Sequence, residues 1–247
     1  MEIAYWLLLF VVGVLAGFIN VMAGGGSTIT MPLLIFMGLD GAMANGTNRV
    51  AIFIQNIFAI FSFHGEKKYE IKSVLKYAIW TLPGALLGAL FAVHIKDQLF
   101  QKVLAVVIIG VMMTVIMPQP KTSKKNISHK KSWLIYPALL GIGFYGGFIQ
   151  AGVGFFIMAA FTHILRYSLV KVNMLKVFIV FIYTIPALFV FIVSGHIQYT
   201  YALVLATGNA VGAWWSAKLA IKKGERFIRI VLFLAVIVMS IKLLDLI

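Results

Sequence analysis

Two apolar runs, residues 4–38 and 133–165, are too long to be single membrane crossings. They hold 35 and 33 residues. As unbroken helices rising about 1.5 Å per residue, each would be a rod of about 50 Å. A bilayer core is about 30 Å thick and takes about 20 helical residues, so each run has to break. Gly24-Gly25-Gly26 in the first and Gly152-Val153-Gly154 in the second are where unwound backbone is best tolerated. Each run is therefore expected to be a helix, a turn and a shorter helix, with the two turns facing each other.

Six further apolar runs, about residues 42–63, 73–95, 99–117, 172–193, 199–221 and 227–247, each have the length of one crossing. With 62% apolar and 11% charged residues and a mean hydropathy of +1.01, 247 residues cannot hide this surface in one water-soluble core. The expected class is an all-α polytopic membrane protein. Lys and Arg outnumber Asp and Glu by 21 to 7, which on such a chain reads as loop charge facing an anionic leaflet rather than a nucleic-acid footprint. The absence of cysteine excludes disulfides and thiolate metal sites. The five histidines are too scattered to suggest a metal site, and Met1-Glu2-Ile3 lacks the basic start of a cleaved signal peptide.

The two halves resemble each other. Gly17-Phe18-Ile19-Asn20 and Gly24 match Gly147-Phe148-Ile149-Gln150 and Gly154 at an offset of 130, and Gly84/Gly88 match Gly208/Gly212. The expected units are a membrane repeat at 1–117, a lysine-rich linker at 118–132 and a second repeat at 133–247. If every run simply crosses, Lys and Arg split 11 to 10 between the two faces and select no orientation. If the two broken runs turn back instead, residues 64–76, 118–132, 164–176 and 218–229 share one face, and the split becomes 17 to 4. The positive-inside rule favours the second arrangement. It predicts two inverted repeats, each a glycine-broken helical hairpin plus three transmembrane helices. The linker is then cytoplasmic and both termini are extracytoplasmic. Inverted repeats with helices broken at matching positions are characteristic of secondary transporters.

Gly17, the triplet Gly24-Gly25-Gly26 followed by Pro32-Leu33, and Ala44-Asn45-Gly46-Thr47-Asn48-Arg49 carry a family likeness. Their spacing resembles the TauE/SafE family of membrane transporters, named for sulfite and organosulfonate export, and the likeness spans nearly the whole chain. In the second half, Gly152-Val153-Gly154-Phe155 replaces the triplet and Asn173-Met174-Leu175-Lys176 replaces the Thr-Asn-Arg run. The resemblance implies movement of small sulfur-containing anions or related carboxylates across the inner membrane.

Candidate substrate-binding residues cluster around the breaks. A helix starting near Ser27-Thr28 would aim its N–H groups and positive dipole end at the turn formed by Gly24, Gly25 and Gly26, with the hydroxyls able to cap the helix or bind an oxyanion. Tight packing or a hinge is the competing use of those glycines, and of Gly152 and Gly154. Arg49 and Lys176 occupy matching places where a cation could hold an anion or snorkel to the interface. Thr47 and Asn48 could line the mouth or cap a helix, and Asn173 stands in the corresponding stretch of the second half. Asn20 and Gln150 lie just ahead of the breaks, while Gln55, Asn56 and Asn209 lie inside apolar helices. Either substrate contacts or interhelical hydrogen bonds would explain these amides. Gly84, Gly88, Gly208 and Gly212 have the spacing of packing positions.

All seven acids fall in loops or near run ends, so a membrane-depth carboxylate relay for protons is not expected. An anion leaving an inside-negative cell gains about 2.3 kcal/mol per charge per 100 mV, which makes export the easier direction; sodium coupling through backbone carbonyls stays open. The leading expectation is a secondary transporter exporting a small anion, with a passive anion channel as the alternative. No HExxH or GxSxG motif suggests an enzyme. No cofactor is expected, and the expected partners are a small anion and lipid.

Overall fold

The computed structural model describes residues 2–63, 71–116 and 129–243. These form helices α1 (Glu2–Met22), α2 (Ser27–Phe36), α3 (Gly41–Phe63), α4 (Ile71–His94) and α5 (Asp97–Ile116) in the first half. A 3₁₀ turn (His129–Leu134), α6 (Ile135–Phe148), α7 (Val153–His163), α8 (Leu169–Val193) and α9 (Tyr199–Leu243) follow. No strand occurs among the described residues. Most of the linker expected at 118–132, Lys67, Lys68, Glu66, Glu70, Asp245 and both chain ends lie outside the described residues.

Both long apolar runs break. The first breaks at residues 23–26, on the glycine triplet. The second breaks at 149–152, slightly ahead of the expected Gly152-Val153-Gly154, so that Val153 and Gly154 belong to the first turn of α7. The last two runs are joined in α9, which bends at Gly224 where φ is 69°. The start of α3 is held by two aspartates. Asp40 Oδ1 accepts from the Met43 N–H at 2.8 Å, and Asp97 Oδ1 accepts from the Gly41 N–H at 2.6 Å, tying the start of α5 to that of α3.

The distribution of polarity is that of a protein solvated by lipid. Large apolar side chains face outward, with Phe36 83% and Val106 68% exposed, while Arg49, Lys176, Asn45, Asn48, Gln55, Asn56, Gln150, Asn173 and Asn209 are buried. Among the described residues three helical stretches, Ile3–Met22, Val74–His94 and Leu169–Val193, are long and apolar enough to cross a membrane.

Helices pair across the halves. α1 lies along α9, and α6 along α4. At both seams glycines bring backbones into contact: a methyl on Gly13 would meet Gly208 Cα at 3.2 Å, and one on Gly143 would meet Thr81 Cα at 2.9 Å. The expected packing glycines all serve here, with Gly208 and Gly212 against Phe10, Val14 and Phe18, and Gly84 and Gly88 against Leu140, Phe144 and Phe148. The contact partners on α6 lie 130 residues beyond those on α1. The order of contacts makes each pair parallel. By contrast α3 and α8, which occupy corresponding places in the two halves, pass each other antiparallel, Arg49 meeting Phe191 and Phe53 stacking on Phe181.

Candidate functional site

A helix broken inside a membrane exposes its last carbonyls and the first N–H groups of its continuation, and no water is there to pair with them. At the end of α1, the Asn20 and Val21 carbonyls accept from Lys176 Nζ at 3.1 and 2.7 Å. At the end of α6, the Gly146 and Gly147 carbonyls accept from the Arg49 guanidinium at 3.0 and 2.7 Å, and the Phe148 carbonyl accepts from Asn45 Nδ2 at 2.6 Å. Each cation thus comes from one half and caps the broken helix of the other, where the negative end of the helix dipole favours it. Neither snorkels: Arg49 is 0% and Lys176 2% exposed. Arg49 also lies over the Phe191 ring at 4.9 Å and donates to Asn45 Oδ1 at 3.2 Å.

The two turns meet. Gly24, with φ at 94°, packs backbone to backbone on Gly154, and a Cβ on either glycine would overlap the other. Gln150 takes φ of 67°, in the left-handed region where a side chain is strained, and Gly152 caps α7 with φ of 73°. Within the first turn, Asn20 reaches across its own break. Its Oδ1 accepts from the Gly26 N–H at 3.1 Å and its Nδ2 donates to Gln55 Oε1 at 3.2 Å. Asn209 Nδ2 donates to the same Gln55 oxygen at 3.3 Å.

Beside this junction is a cavity of about 20 Å³, room for one water, lined by Asn20, Gly24, Ser27, Ile52, Gln55, Asn56, Gln150, Val153, Gly154, Lys176, Val177 and Val180. The starts of α2 and α7 both lie on its wall, presenting the positive ends of two helices. Ser27 Oγ, Asn56 Nδ2 and both polar atoms of the Gln150 side chain are buried there without a hydrogen-bond partner. Lys176 is the one charged side chain in the lining. A carboxylate is absent from that lining, and Asp40 and Asp97 are committed to helix starts. The arrangement offers hydrogen-bond donors and positive charge to an anion.

Of the residues singled out from the sequence, Asn20, Gly24, Ser27, Gln150, Gly154 and Lys176 converge on this cavity. Gly25 and Thr28 form the turn itself, with Thr28 Oγ1 donating to the Gly25 carbonyl at 2.6 Å, and Gly26 and Gly152 are the residues preceding α2 and α7. The others lie outside the lining. Thr47 Oγ1 accepts from the Gln198 N–H at 2.9 Å at the approach to α9, and Asn48 Oδ1 accepts from Thr30 at 2.7 Å to pin α2 on α3. Arg49 is taken up by the end of α6, and Asn173 is buried with both polar ends unpaired. Gln55 and Asn56, visible in the sequence as amides in an apolar helix, line the wall. Ile52, Val153, Val177 and Val180 gave no signal beyond their helical spacing from Asn56 and Lys176.

Comparison with known proteins finds membrane transporters. The family described as "Sulfite exporter TauE/SafE" matches residues 9–243. A probable membrane transporter protein of Haemophilus influenzae is 28% identical over 238 residues, covering 96% of this chain and 93% of the relative. The probable membrane transporter protein YfcA of Escherichia coli K12 is also 28% identical, covering 96% of this chain and 88% of its own length. Bacillus subtilis YunE, likewise called a probable membrane transporter protein, is 24% identical over 241 residues, covering 87% of this chain and 86% of the relative. No solved structure matches significantly. Over nearly its whole length, the chain belongs to the TauE/SafE sulfite exporter family of membrane transporters.

Proposed function

We propose that this membrane transporter is a secondary carrier that exports a small oxyanion, a sulfite, organosulfonate or related carboxylate, through the cavity where the two broken helices meet. The observation that carries the reading is the lining itself: the ammonium of Lys176, two helix N-termini and unpaired buried donors, with no carboxylate among them. A cavity of about 20 Å³ is too small for a sulfonate, so loading requires the walls to part and transport proceeds by alternating access.

The halves are read as inverted repeats. Support comes from the exchanged helix pairs, from the antiparallel passage of α3 and α8, and from the reciprocal capping of each broken helix by the other half's cation. Burial of Arg49 and Lys176 removes both from the loop charges, leaving 16 positive residues on one face against 3 on the other. The basic face is then cytoplasmic in an inner-membrane protein whose ends are extracytoplasmic. The inside-negative potential drives the anion out.

The test is flux in proteoliposomes at fixed pH and imposed voltage, with sulfite, sulfonates, thiosulfate and small carboxylates as competitors. The reading requires saturable, voltage-sensitive flux that Lys176→Gln abolishes. Unitary currents in a bilayer would identify a channel instead, and flux that needs an imposed proton gradient would overturn the voltage-driven mechanism.

A further inference from the structure

Along α8, Asn173, Lys176, Val177, Val180 and Thr184 fall within about a third of the helix circumference, and along α3 so do Asn48, Ile52 and Gln55. The middle of each stripe, Lys176, Val177 and Val180 with Ile52 and Gln55, lines the cavity. Both stripes continue past it. Asn173 lies one turn nearer the start of α8, buried, with Nδ2 and Oδ1 both unpaired. In the other direction Thr184 is buried one turn beyond Val180, and Asn48 one turn before Ile52. Because α3 and α8 run antiparallel, these two lie on the same side of the cavity. Asn48 commits Oδ1 to Thr30 and leaves Nδ2 unpaired. A threonine inside a helix can donate to the carbonyl three or four residues back, as Thr81 does to Ala78 and Thr162 to Met158, both at 2.6 Å. Thr184 Oγ1 makes no such bond. Polar atoms buried unpaired within a membrane cost free energy for as long as the seam around them stays closed.

We infer that the transported solute passes along the seam between α3 and α8, with Asn173 as its polar contact on the cytoplasmic half of the route and Asn48 and Thr184 on the extracytoplasmic half. The inference rests on the carrier reading and its orientation, and adds the route and the residues that line its two closed halves. Asn173 and Thr184 are 11 residues apart in one helix, about 16 Å along its axis, so the route they bound spans about half of the hydrocarbon core. When one half opens, water and the passing solute pair with its polar atoms; the other half stays shut. Each unpaired atom thus has its partner in the conformation that opens its own side.

Two single-cysteine variants of this cysteine-free chain, Asn173→Cys and Thr184→Cys, test the route. Each is treated in oriented membranes, from one side at a time, with a membrane-impermeant thiol reagent. Ile179→Cys, as deeply buried on another face of α8, is the control. Asn173→Cys should react only from the face bearing residues 164–176 and Thr184→Cys only from the opposite face, each at least about ten-fold faster than Ile179→Cys. In parallel, Asn173→Leu is assayed for thermal stability and for flux of labelled methanesulfonate, a small sulfonate, in proteoliposomes, normalised to inserted protein. Its midpoint should hold or rise, because an unpaired amide is removed, while flux falls by about ten-fold. With methanesulfonate flux through the unaltered chain intact, thiols no faster than the control, or reacting from the wrong face or from both, would overturn the route and leave the carrier standing. So would an Asn173→Leu protein that keeps full flux or loses stability along with it. If the unaltered chain moves no small anion, the carrier reading falls and the inference with it.

Discussion

Alanine at Gly17 and at Gly147 should destabilise the protein by similar amounts, because the two residues do the same work at the two seams between the halves. A methyl at Gly17 would stand 2.7 Å from Asn209 Cα, and one at Gly147 would stand 2.6 Å from Ala85 Cα. The obstacles are backbone atoms of a packed helix, so no rotamer change relieves them and the helices must separate. Overpacking of this kind costs about 1–3 kcal/mol, against about 1 kcal/mol gained when alanine replaces glycine in a helix. With contacts this short the cost lies at the upper end of that range, so the net is a loss of about 2 kcal/mol, or about 4–8 °C in a thermal midpoint for a chain of this size. Gly141, also on α6, has nothing within 4 Å of where its Cβ would stand, and supplies the control. Gly141→Ala should hold or raise the midpoint. Thermal aggregation of the three variants, followed by size exclusion in one detergent, decides the matter. Unchanged midpoints for Gly17→Ala and Gly147→Ala would refute the close approach of the backbones, and loss at one seam alone would refute their equivalence.

Other consequences follow from single contacts. Arg49→Met removes the donors to the Gly146 and Gly147 carbonyls and should lower the thermal midpoint; because Arg49 lies outside the cavity lining, the substrate KM of the surviving protein should stay within about two-fold. Lys176→Met should instead abolish anion flux even where the inserted protein is recovered, since it removes the one charge in the lining. Gln150→Gly relieves a left-handed backbone and two unpaired polar atoms, so it should stabilise by about 1 kcal/mol in a thermal assay while altering transport. Asp97→Ala deletes the acceptor for the Gly41 N–H and should cost about 1 kcal/mol, read as a lower midpoint at unchanged flux.

The breaks were legible because length and glycine act locally: no helix of 35 residues fits a bilayer, and three consecutive glycines mark where it gives way. The second break was displaced because Gln150 as well as Gly152 adopts the left-handed conformation there, and Gly154, inside α7, serves as the contact for Gly24. Gly84, Gly88, Gly208 and Gly212 could be read as packing positions from spacing alone, yet their partners on α6 and α1 lie in the other half and could not be read. The same holds for the cations. Lys176 looks like a loop charge until α8 is seen to begin at Leu169, and its acceptors are 155 and 156 residues away, at the end of a helix whose breakage creates the need for it. The aliphatic lining residues Ile52, Val153, Val177 and Val180 were invisible for a different reason. Valines facing a substrate and valines facing lipid have the same chemistry, and only the fold distinguishes them.

Because the chain contains no cysteine, a single Ser27→Cys substitution reports on the proposed site directly. The measurement is its rate of reaction with a small anionic thiol reagent, added from either side of oriented membranes, with and without methanesulfonate. An anion site with alternating access predicts labelling from both sides, slowed by the substrate in each case. A Ser27→Cys protein that is correctly inserted and transports, yet reacts from one side only or at a rate indifferent to the anion, would contradict it.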